Sequence, residues 1–409
     1  MQLEIQSQFP RLCYLGSLPV EATSASMMLL YRLLESFPKE RLAIVQTTDG
    51  TPAKIQADRQ IPGASYYQLP PLFRRGWYNM RMDHPRLFWN VLNIHASWQA
   101  RKAARQIAPF QPDAVLTIHE KFGWLTAHKL AEHLKVPLHL VLHDEWSRNV
   151  PMAPELAVRF EKEFGAVYRS AASRLCISPY MEEEYRRRYG ATGTVLYPSW
   201  ARNRRVFDAP PPGIRRAEGP LTVAYGGNVF HQGYWESLRC LASALESFGG
   251  RLLIFGPDKT QAAANGLARS NVTAFGFVYD MLEQIREQAQ VLFLPMTFEK
   301  EEKVNMQISF PSKLAEYTAS GLPLLIYGPD YCSAVRWAGE HGDVAEVVTK
   351  EGRTELEKAL SNLAKGERRE QLAWRALEVG DRCFSFDAAM KIFLSAVGNG
   401  AHAGVRNGS

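Results

Sequence analysis

Cysteine is scarce in this sequence, and no two cysteines stand in a Cys-x-x-Cys pair. The five are widely spaced along the 409 residues, at Cys13, Cys176, Cys240, Cys332 and Cys383. An odd number of distant cysteines does not make a disulfide framework, and buried reduced thiols are their ordinary state in a cytoplasmic protein. His128 and His133 are five residues apart on one predicted helix and do not share a face, so they make a poor metal site. We therefore expect reduced cysteines and no bound metal.

Long hydrophobic runs are also missing. The first residues, MQLEIQSQFPRL, have neither the charged start nor the apolar core of a signal peptide. No later run reaches the roughly 20 apolar residues that a membrane-spanning helix needs. The sequence thus predicts a cytoplasmic protein whose contact with a membrane would be peripheral.

The charge balance, in contrast, is basic, with a formal net charge of +6. Basic residues cluster at Arg74-Arg75, Arg101 to Arg105, Arg186 to Arg188, Arg204-Arg205 and Arg215-Arg216. Such clusters attract phosphates, anionic lipid headgroups or nucleic acid, although basic residues scattered on helices are more often a solvated surface. Because no recognised nucleic-acid-binding module accompanies them, we expect no nucleic-acid partner.

Length and composition indicate two globular domains of the α/β class. A chain of 409 residues with 46% hydrophobic and 22% charged residues is long for one core and too apolar to be disordered. Short apolar runs alternate with helical patterns, which is typical of parallel sheets. Consecutive prolines cannot join a helix or a central strand, so Ala209 to Gly213 predicts a linker. We expect an N-terminal Rossmann-like domain at 1–208, a linker at 209–218, a second such domain at 219–380, a C-terminal helix at 381–398 and a flexible tail at 399–409.

Polar residues follow several of the predicted strands of the first domain. Gly16 ends the first strand, His119 follows the strand at 113–118, and His143-Asp144 follows the strand at 138–142. Ligand-facing side chains of a parallel sheet lie at these carboxyl ends, although a lone His at a strand end is more often structural. Between them, Pro85 to Ile107 has the spacing of a helix, with one apolar side formed by Leu87, Val91, Ile94 and Trp98, and with Arg101, Lys102 and Arg105 at its end.

The stretch from Phe310 to Gly328, FPSKLAEYTASGLPLLIYG, organises the second domain. Pro311-Ser312 marks the start of a short helix in which the Ser can cap, Gly321 ends that helix, and an uncharged run of strand length follows. The positive end of a helix with a nearby Lys313 suits a phosphate, and the carboxylate of Glu316 can accept two ribose hydroxyls. An ordinary helix and strand with solvated charges fits the spacing about equally well.

This stretch also resembles a known motif. The pattern Pro311-Ser312-Lys313-Leu314-x-Glu316-Tyr317-x-x-x-Gly321-x-Pro323 is similar to the nucleotide-sugar motif of retaining glycosyltransferases of the GT-B fold, the large family four and its relatives. The resemblance implies two Rossmann-like domains facing each other across a cleft, with the acceptor on the first and the donor on the second. It also implies that Glu316 binds the donor's ribose, that the helix start faces the diphosphate, and that His119 lies beside the donor sugar.

The resemblance and the strand ends together give the candidate site residues. The donor-binding candidates are Gly16, Gly227, Asn228, Ser312, Lys313, Leu314 and Glu316, and the catalytic candidates are His119 first and then His143 with Asp144. The turn Gly226-Gly227-Asn228 permits close backbone approach to a phosphate, although a plain tight turn has the same sequence. The chain also departs from the family, which has a Glu where Ile308 stands here, and an Arg and a Lys whose nearest counterparts are Asn228 and Gln232.

These features predict a glycosyltransferase that moves a sugar from a nucleotide diphosphate sugar to a glycan, lipid-linked or small-molecule acceptor. The resemblance implies retention at the anomeric carbon. No Asp-x-Asp occurs in the sequence, so we expect no metal and no other cofactor, with the leaving diphosphate stabilised by helix dipoles and cations. The alternative is a non-catalytic subunit that binds a nucleotide sugar, since the first Glu and the Arg/Lys pair are absent.

Overall fold

The computed structural model describes residues 9–22, 27–47, 57–71, 76–146, 150–203, 206–215, 219–229 and 231–398. The pairs Arg74-Arg75 and Arg204-Arg205, Arg216, and the tail at 399–409 lie outside these residues. Within them, helices alternate with parallel strands that form two separate sheets. The predicted α/β class with two Rossmann-like domains is confirmed.

The chain forms two compact units. One unit comprises Met1–Tyr197 with Ala389–Ser409, and the other comprises Pro198–Ala388. The chain therefore passes from the first unit to the second between Tyr197 and Pro198. The sequence predicts this boundary later in the chain, at the Pro-rich segment. That segment is irregular, as its prolines require, but it is held within the second unit, where Arg286 donates to the carbonyl of Ala209 at 2.8 Å and Arg369 to that of Ile214 at 2.9 Å.

The first unit is built on a parallel sheet with the strand order β3-β2-β1-β4-β5-β6-β7. In chain order its elements are β1 Leu12–Gly16, α1 Met28–Glu35, β2 Leu42–Gln46, β3 Ser65–Gln68, α2 Met80–Asp83, α3 Pro85–Gln106, β4 Ala114–Ile118, α4 Gly123–Leu134, β5 Leu138–Leu142, α5 Pro154–Ser170, β6 Ser173–Cys176, α6 Pro179–Tyr189 and β7 Thr194–Val195. Every residue of β1, β2, β4 and β5 is buried, as expected for strands covered by helices on both faces. The strand β3 lies in a stretch that the sequence presents as irregular.

Helix α3 begins and ends as predicted, but its predicted apolar side faces solvent. Leu87, Ile94 and Trp98 are 53%, 72% and 47% exposed. The buried face carries another set, namely Phe88, Trp89, Leu92, Ala96, Gln99, Ala100, Ala103 and Ala104. Gln99 anchors this face, because its amide nitrogen donates to the Thr47 hydroxyl at 3.1 Å and its amide oxygen accepts from the Thr126 hydroxyl at 3.2 Å. The helix thus has two apolar faces, of which only one packs against the unit.

The second unit is built on a parallel sheet with the strand order β10-β9-β8-β11-β12-β13. Its elements, followed by the last helix of the chain, are β8 Thr222–Gly226, α7 Gln232–Glu246, β9 Arg251–Phe255, α8 Lys259–Ala264, β10 Val272–Gly276, α9 Met281–Gln288, β11 Val291–Pro295, α10 Lys303–Ile308, α11 Ser312–Thr318, β12 Leu324–Tyr327, α12 Ser333–Glu340, β13 Glu346–Val348, α13 Arg353–Leu363, α14 Gly366–Phe384 and α15 Phe386–Gly398. The core joins the sheet to α7 and α13 through fully buried side chains that include Leu241, Phe293 and Leu360.

The predicted helix and strand of the organising stretch are present as α11 and β12. One detail differs: Pro311 occupies the cap position of α11, Ser312 is its first residue, and no side chain caps the helix. Gly321 has a φ of +69°, the left-handed conformation that glycine adopts after a helix end. Leu314 and Tyr317 are buried beneath the helix, which fixes Lys313 and Glu316 on its remaining surface.

Candidate donor site

The turn Gly226-Gly227-Asn228, at the end of β8 in the second unit, needs glycine at its central position. Gly227 has a φ of +117°, and its N–H donates to the carbonyl of Phe255 at 2.8 Å. A Cβ at Gly227 would lie 2.5 Å from Cε of Lys313, and one at Gly256 would lie 2.6 Å from the Gly227 oxygen. Glycine is therefore required at 256 by the close approach of backbone, and at 227 by the φ of +117°, since the end of the Lys313 side chain could move away.

Tyr317 of α11 joins the helix to this turn. Its hydroxyl accepts from the N–H of Gly226 at 2.8 Å and donates to the carbonyl of the same residue at 2.9 Å. The ring is buried, and burial raises the pKa of its hydroxyl, which stays protonated and able to donate. Helix α11 is thus held in a fixed position against the end of β8.

Lys313 reaches across the turn from the same helix. Its Nζ donates to the Tyr225 hydroxyl at 2.5 Å and to the Asn228 carbonyl at 3.1 Å, and it lies 4.6 Å from the centroid of the Tyr225 ring. The Tyr225 hydroxyl in turn donates to the Asn228 carbonyl at 2.7 Å. Burial removes water from around the Lys313 ammonium, which disfavours the charged form and lowers the pKa of Lys313 to about 8. The ammonium is therefore charged at neutral pH and poorly neutralised, which favours an anion beside it.

A cavity of about 520 Å³ opens where the turn and the helix meet. This volume is typical of small-molecule sites. Its lining residues are Asn203, Phe207, Gly226, Gly227, Asp280, Met281, Leu282, Glu283, Lys313, Glu316 and Tyr317. The structure thus brings together three of the predicted donor residues, Gly227, Lys313 and Glu316, and it places Asn228 beside them through its contact with Lys313.

The other predicted donor residues lie elsewhere. Leu314 is fully buried under α11, and Ser312 is exposed without lining the cavity. Gly16 belongs to the first unit, where a Cβ would lie 2.2 Å from the Tyr14 hydroxyl oxygen. The small size of Gly16 is thus explained by packing within its own unit.

Several lining residues were not found from the sequence. Asn203 and Phe207 come from the segment before the Pro-rich stretch, and Asp280 and Met281 come from the start of α9. Asp280 has a φ of +53°, a left-handed conformation that Asp tolerates better than most residues. An Asp directly before a helix is the one local signal at this place.

A larger cavity of about 780 Å³, beside the Pro-rich segment, contains none of the predicted site residues.

His119, the first catalytic candidate, is buried within an aromatic cluster of the first unit. Its side chain is 2% exposed and stacks on Phe164 with the ring centroids 3.7 Å apart. Burial, and to a lesser degree the charge of Arg188, lowers its pKa to about 3, so the imidazole is neutral. Its Nε2 has no hydrogen-bond partner among the residues that the structure describes. These surroundings are those of a core residue, and a role beside the sugar stays a prediction.

His143, the second candidate, is paired with the residue that follows it. Its Nδ1 lies 3.4 Å from Oδ2 of Asp144, and its side chain is 15% exposed. Burial alone would lower the pKa of His143, but the charge and hydrogen bond of Asp144 and the charge of Glu120 outweigh it and raise that pKa. Histidines that act as general acids or bases are commonly paired with a carboxylate, which orients the imidazole and stabilises its protonated form. The catalytic role of this pair stays a prediction.

The described residues supply no ready metal ligands, because no three His, Cys, Asp or Glu side chains come together among them. Over the same ranges, no helix is both long enough and apolar enough to span a lipid bilayer.

Comparison with known proteins identifies the fold and a family match over part of the chain. Residues 44–198 match the family model described as Glycosyltransferase Family 4. The fold resembles HepE of Anabaena in complex with UDP and glucose, with a TM-score of 0.65 at 12% identity over 95% of this chain and 99% of that one. The chain therefore has the GT-B fold, and its residues 44–198 carry the match to a glycosyltransferase family.

Other solved structures share this fold. Sucrose-phosphate synthase of Thermosynechococcus elongatus gives a TM-score of 0.63 at 16% identity, covering 93% of this chain and 97% of that one. The α,α-trehalose-phosphate synthase of Burkholderia vietnamiensis gives 0.65 at 13% identity, covering 98% and 100%. Comparison with curated protein sequences found no match. The predicted family resemblance is thus confirmed, and so is the expectation of an enzyme.

Proposed function

We propose that this glycosyltransferase takes its sugar from a nucleotide diphosphate donor bound in the cavity beside α11. The observation that carries the proposal is that Lys313 and Glu316, one helical turn apart, both line this cavity together with Gly227. A cation and a carboxylate at this separation suit the two polar parts of a nucleotide, its phosphates and its ribose. HepE, which shares the fold, was solved with UDP and with UDP-glucose.

The contacts around the turn indicate how the diphosphate binds. The N–H of Gly227 already donates to the carbonyl of Phe255, so it is not available to a phosphate. The glycine turn instead allows the phosphate to come close to the backbone. The charge comes from Lys313, whose present acceptors, the Tyr225 hydroxyl and the Asn228 carbonyl, are both neutral groups. An anionic oxygen forms a stronger hydrogen bond with an ammonium than a neutral acceptor does. A bound diphosphate would therefore draw Nζ of Lys313 toward itself.

The reaction that follows is transfer with retention at the anomeric carbon, as the resemblance of the α11 motif implies. Lys313 stabilises the charge that develops on the leaving diphosphate, which is the task a divalent metal performs in other enzymes. We propose that no metal is needed. The acceptor is a glycan, a lipid-linked molecule or a small molecule, and His143 with Asp144 is the polar pair of the first unit best suited to contact the reacting groups.

A panel of nucleotide sugars tests the proposal. Incubated with the protein, the correct donor should lose its sugar to an acceptor, or slowly to water, and the product's anomeric configuration should match the donor's. Turnover should be equal with and without a chelator. Binding without any turnover on the whole panel, with acceptors of all three classes present, would contradict the transfer reaction, and a strict requirement for Mg²⁺ or Mn²⁺ would contradict the metal-free mechanism.

A further inference from the structure

The exposed side of α3 is an apolar stripe on a helix that is already packed on its other side. Leu87, Val91, Ile94 and Trp98 follow one another at alternating spacings of four and three residues, so they lie in one line along the helix. Three of the four are exposed, and the fourth, Val91, is partly buried. Single exposed apolar residues need no explanation, but a continuous line of them on one helix marks an interaction surface.

The same line continues into positive charge. Arg101 and Arg105 extend it at the same spacing, and Lys102 stands beside them with Nζ 5.4 Å from the centroid of the Trp98 ring. Both arginines are exposed. Helix α3 contains no Asp or Glu, and its other basic residue, Arg86, is paired with Glu155 at the opposite end. The unneutralised charge of the helix is therefore concentrated next to Trp98.

We propose that this outer face of α3, comprising Leu87, Val91, Ile94, Trp98, Arg101 and Arg105, docks on an anionic lipid surface. A helix lying in a membrane interface buries apolar side chains at the level of the headgroups and directs Lys and Arg toward the phosphates. Trp is the side chain that most favours this boundary, because its ring is apolar and its N–H is polar. A protein partner of matching acidic and apolar surface is the competing occupant, but apolar and basic residues in one exposed line, with no acidic residue, complement a lipid interface in both respects.

This inference does not depend on the nucleotide site, because α3 belongs to the first unit and shares no residue with the donor cavity. The peripheral membrane contact that the sequence predicts would then be made by helix α3. The cluster Arg101 to Arg105 provides the charge on a described helix, whereas Arg74-Arg75 falls outside the described residues.

Co-sedimentation of the full chain with vesicles tests the proposal. Vesicles containing phosphatidylglycerol should bind the protein at low salt and release most of it at about 0.5 M salt, where exposed charges are screened within a few ångströms. Vesicles of phosphatidylcholine alone should bind it weakly. Replacing both arginines, Arg101→Gln with Arg105→Gln, should weaken binding about 30-fold, since each basic residue near an anionic surface contributes about a fivefold factor.

Matched variants separate the stripe from general charge and stickiness. Arg186→Gln with Arg187→Gln removes the same charge from α6 and should leave vesicle binding almost unchanged. Trp98→Ser should weaken it strongly, whereas Trp374→Ser, at a Trp of α14 that is 49% exposed compared with 47% for Trp98, should not. All four variants should melt at the same temperature as the wild type, which shows that each is folded.

Three results would overturn the proposal. The first is that wild-type protein does not sediment with anionic vesicles at low salt. The second is that Trp98→Ser or the double arginine variant binds as wild type does, or no worse than its control. The third is that, without lipid, light scattering finds a dimer that Trp98→Ser dissociates, because the stripe would then be covered by a second copy of the chain.

Discussion

Replacing Lys313 by Gln removes the one cation that lines the donor cavity among the residues that the structure describes. Its ammonium is partly dehydrated, and its two hydrogen bonds go to neutral oxygens, so a diphosphate is its best available partner. Charge-assisted hydrogen bonds contribute about 1.5 to 3 kcal/mol, so affinity for the nucleoside diphosphate should fall about tenfold to a hundredfold. Affinity for the nucleoside monophosphate should fall less, because fewer phosphate oxygens reach the ammonium.

The pH dependence gives an independent measure of the same group. Burial lowers the pKa of Lys313 to about 8 in the free protein, and an adjacent diphosphate favours the charged form and raises it again. Diphosphate affinity should therefore be full below about pH 8 and should decline as the pH rises above it. Lys313→Arg keeps its charge throughout this range and should remove the decline.

Calorimetric titration of wild type, Lys313→Gln and Lys313→Arg with both nucleotides, at pH 7 and pH 9.5, tests these expectations. Thermal melts of each variant show whether the loss reflects binding or a disturbed turn, since Lys313 also holds Asn228. Equal losses for monophosphate and diphosphate in Lys313→Gln would refute the assignment of Lys313 to the phosphates. A decline above pH 8 that persists in Lys313→Arg would show that another group titrates.

Three further predictions concern neighbouring residues. Glu316→Ala should weaken the monophosphate and the diphosphate equally, by about tenfold to a hundredfold in titration calorimetry, because the ribose is common to both; a loss confined to the diphosphate would contradict this role. Tyr317→Phe leaves the buried N–H and carbonyl of Gly226 without the hydroxyl, so denaturant unfolding should show a loss of about 2 to 4 kcal/mol, and an unchanged midpoint would mean that the turn is held otherwise. His143→Ala should lower turnover at least about tenfold with nucleotide affinity unchanged, whereas His119→Phe, which keeps an aromatic ring against Phe164, should preserve folding; an unchanged rate in His143→Ala would leave the pair without a catalytic role.

Local sequence signals predicted much of the second unit. Pro311 and Gly321 bound α11 because each acts through its own backbone, so the helix and the strand after it could be placed from neighbouring residues alone. The contacts that build the site could not be predicted in this way. Tyr317 and Gly226 are 91 residues apart, and Lys313 and Tyr225 are 88 apart, so only the folded sheet brings them together.

Helix α3 shows where periodicity fails. Its bounds were predicted well, but it carries apolar residues along two faces, and spacing alone cannot say which one packs inward. The burial of His119 has a similar cause. It follows a strand as a ligand-facing residue would, but the rings that enclose it come from distant helices, with Phe164 on α5 and Tyr185 on α6. The strand β3, Ser65–Gln68, was missed because none of its residues is buried and no apolar run marks it, and β13 was missed because it has only three residues.

The bond between Gly226 and Tyr317 has a consequence for dynamics. The Gly226 amide donates to the Tyr317 side chain of α11, so its hydrogen exchanges with solvent when this contact between the helix and β8 opens. Amide exchange at this single glycine therefore reports the opening of the whole donor site. Because helix and turn are already joined, a ligand that binds between them spends little of its binding free energy on ordering the protein.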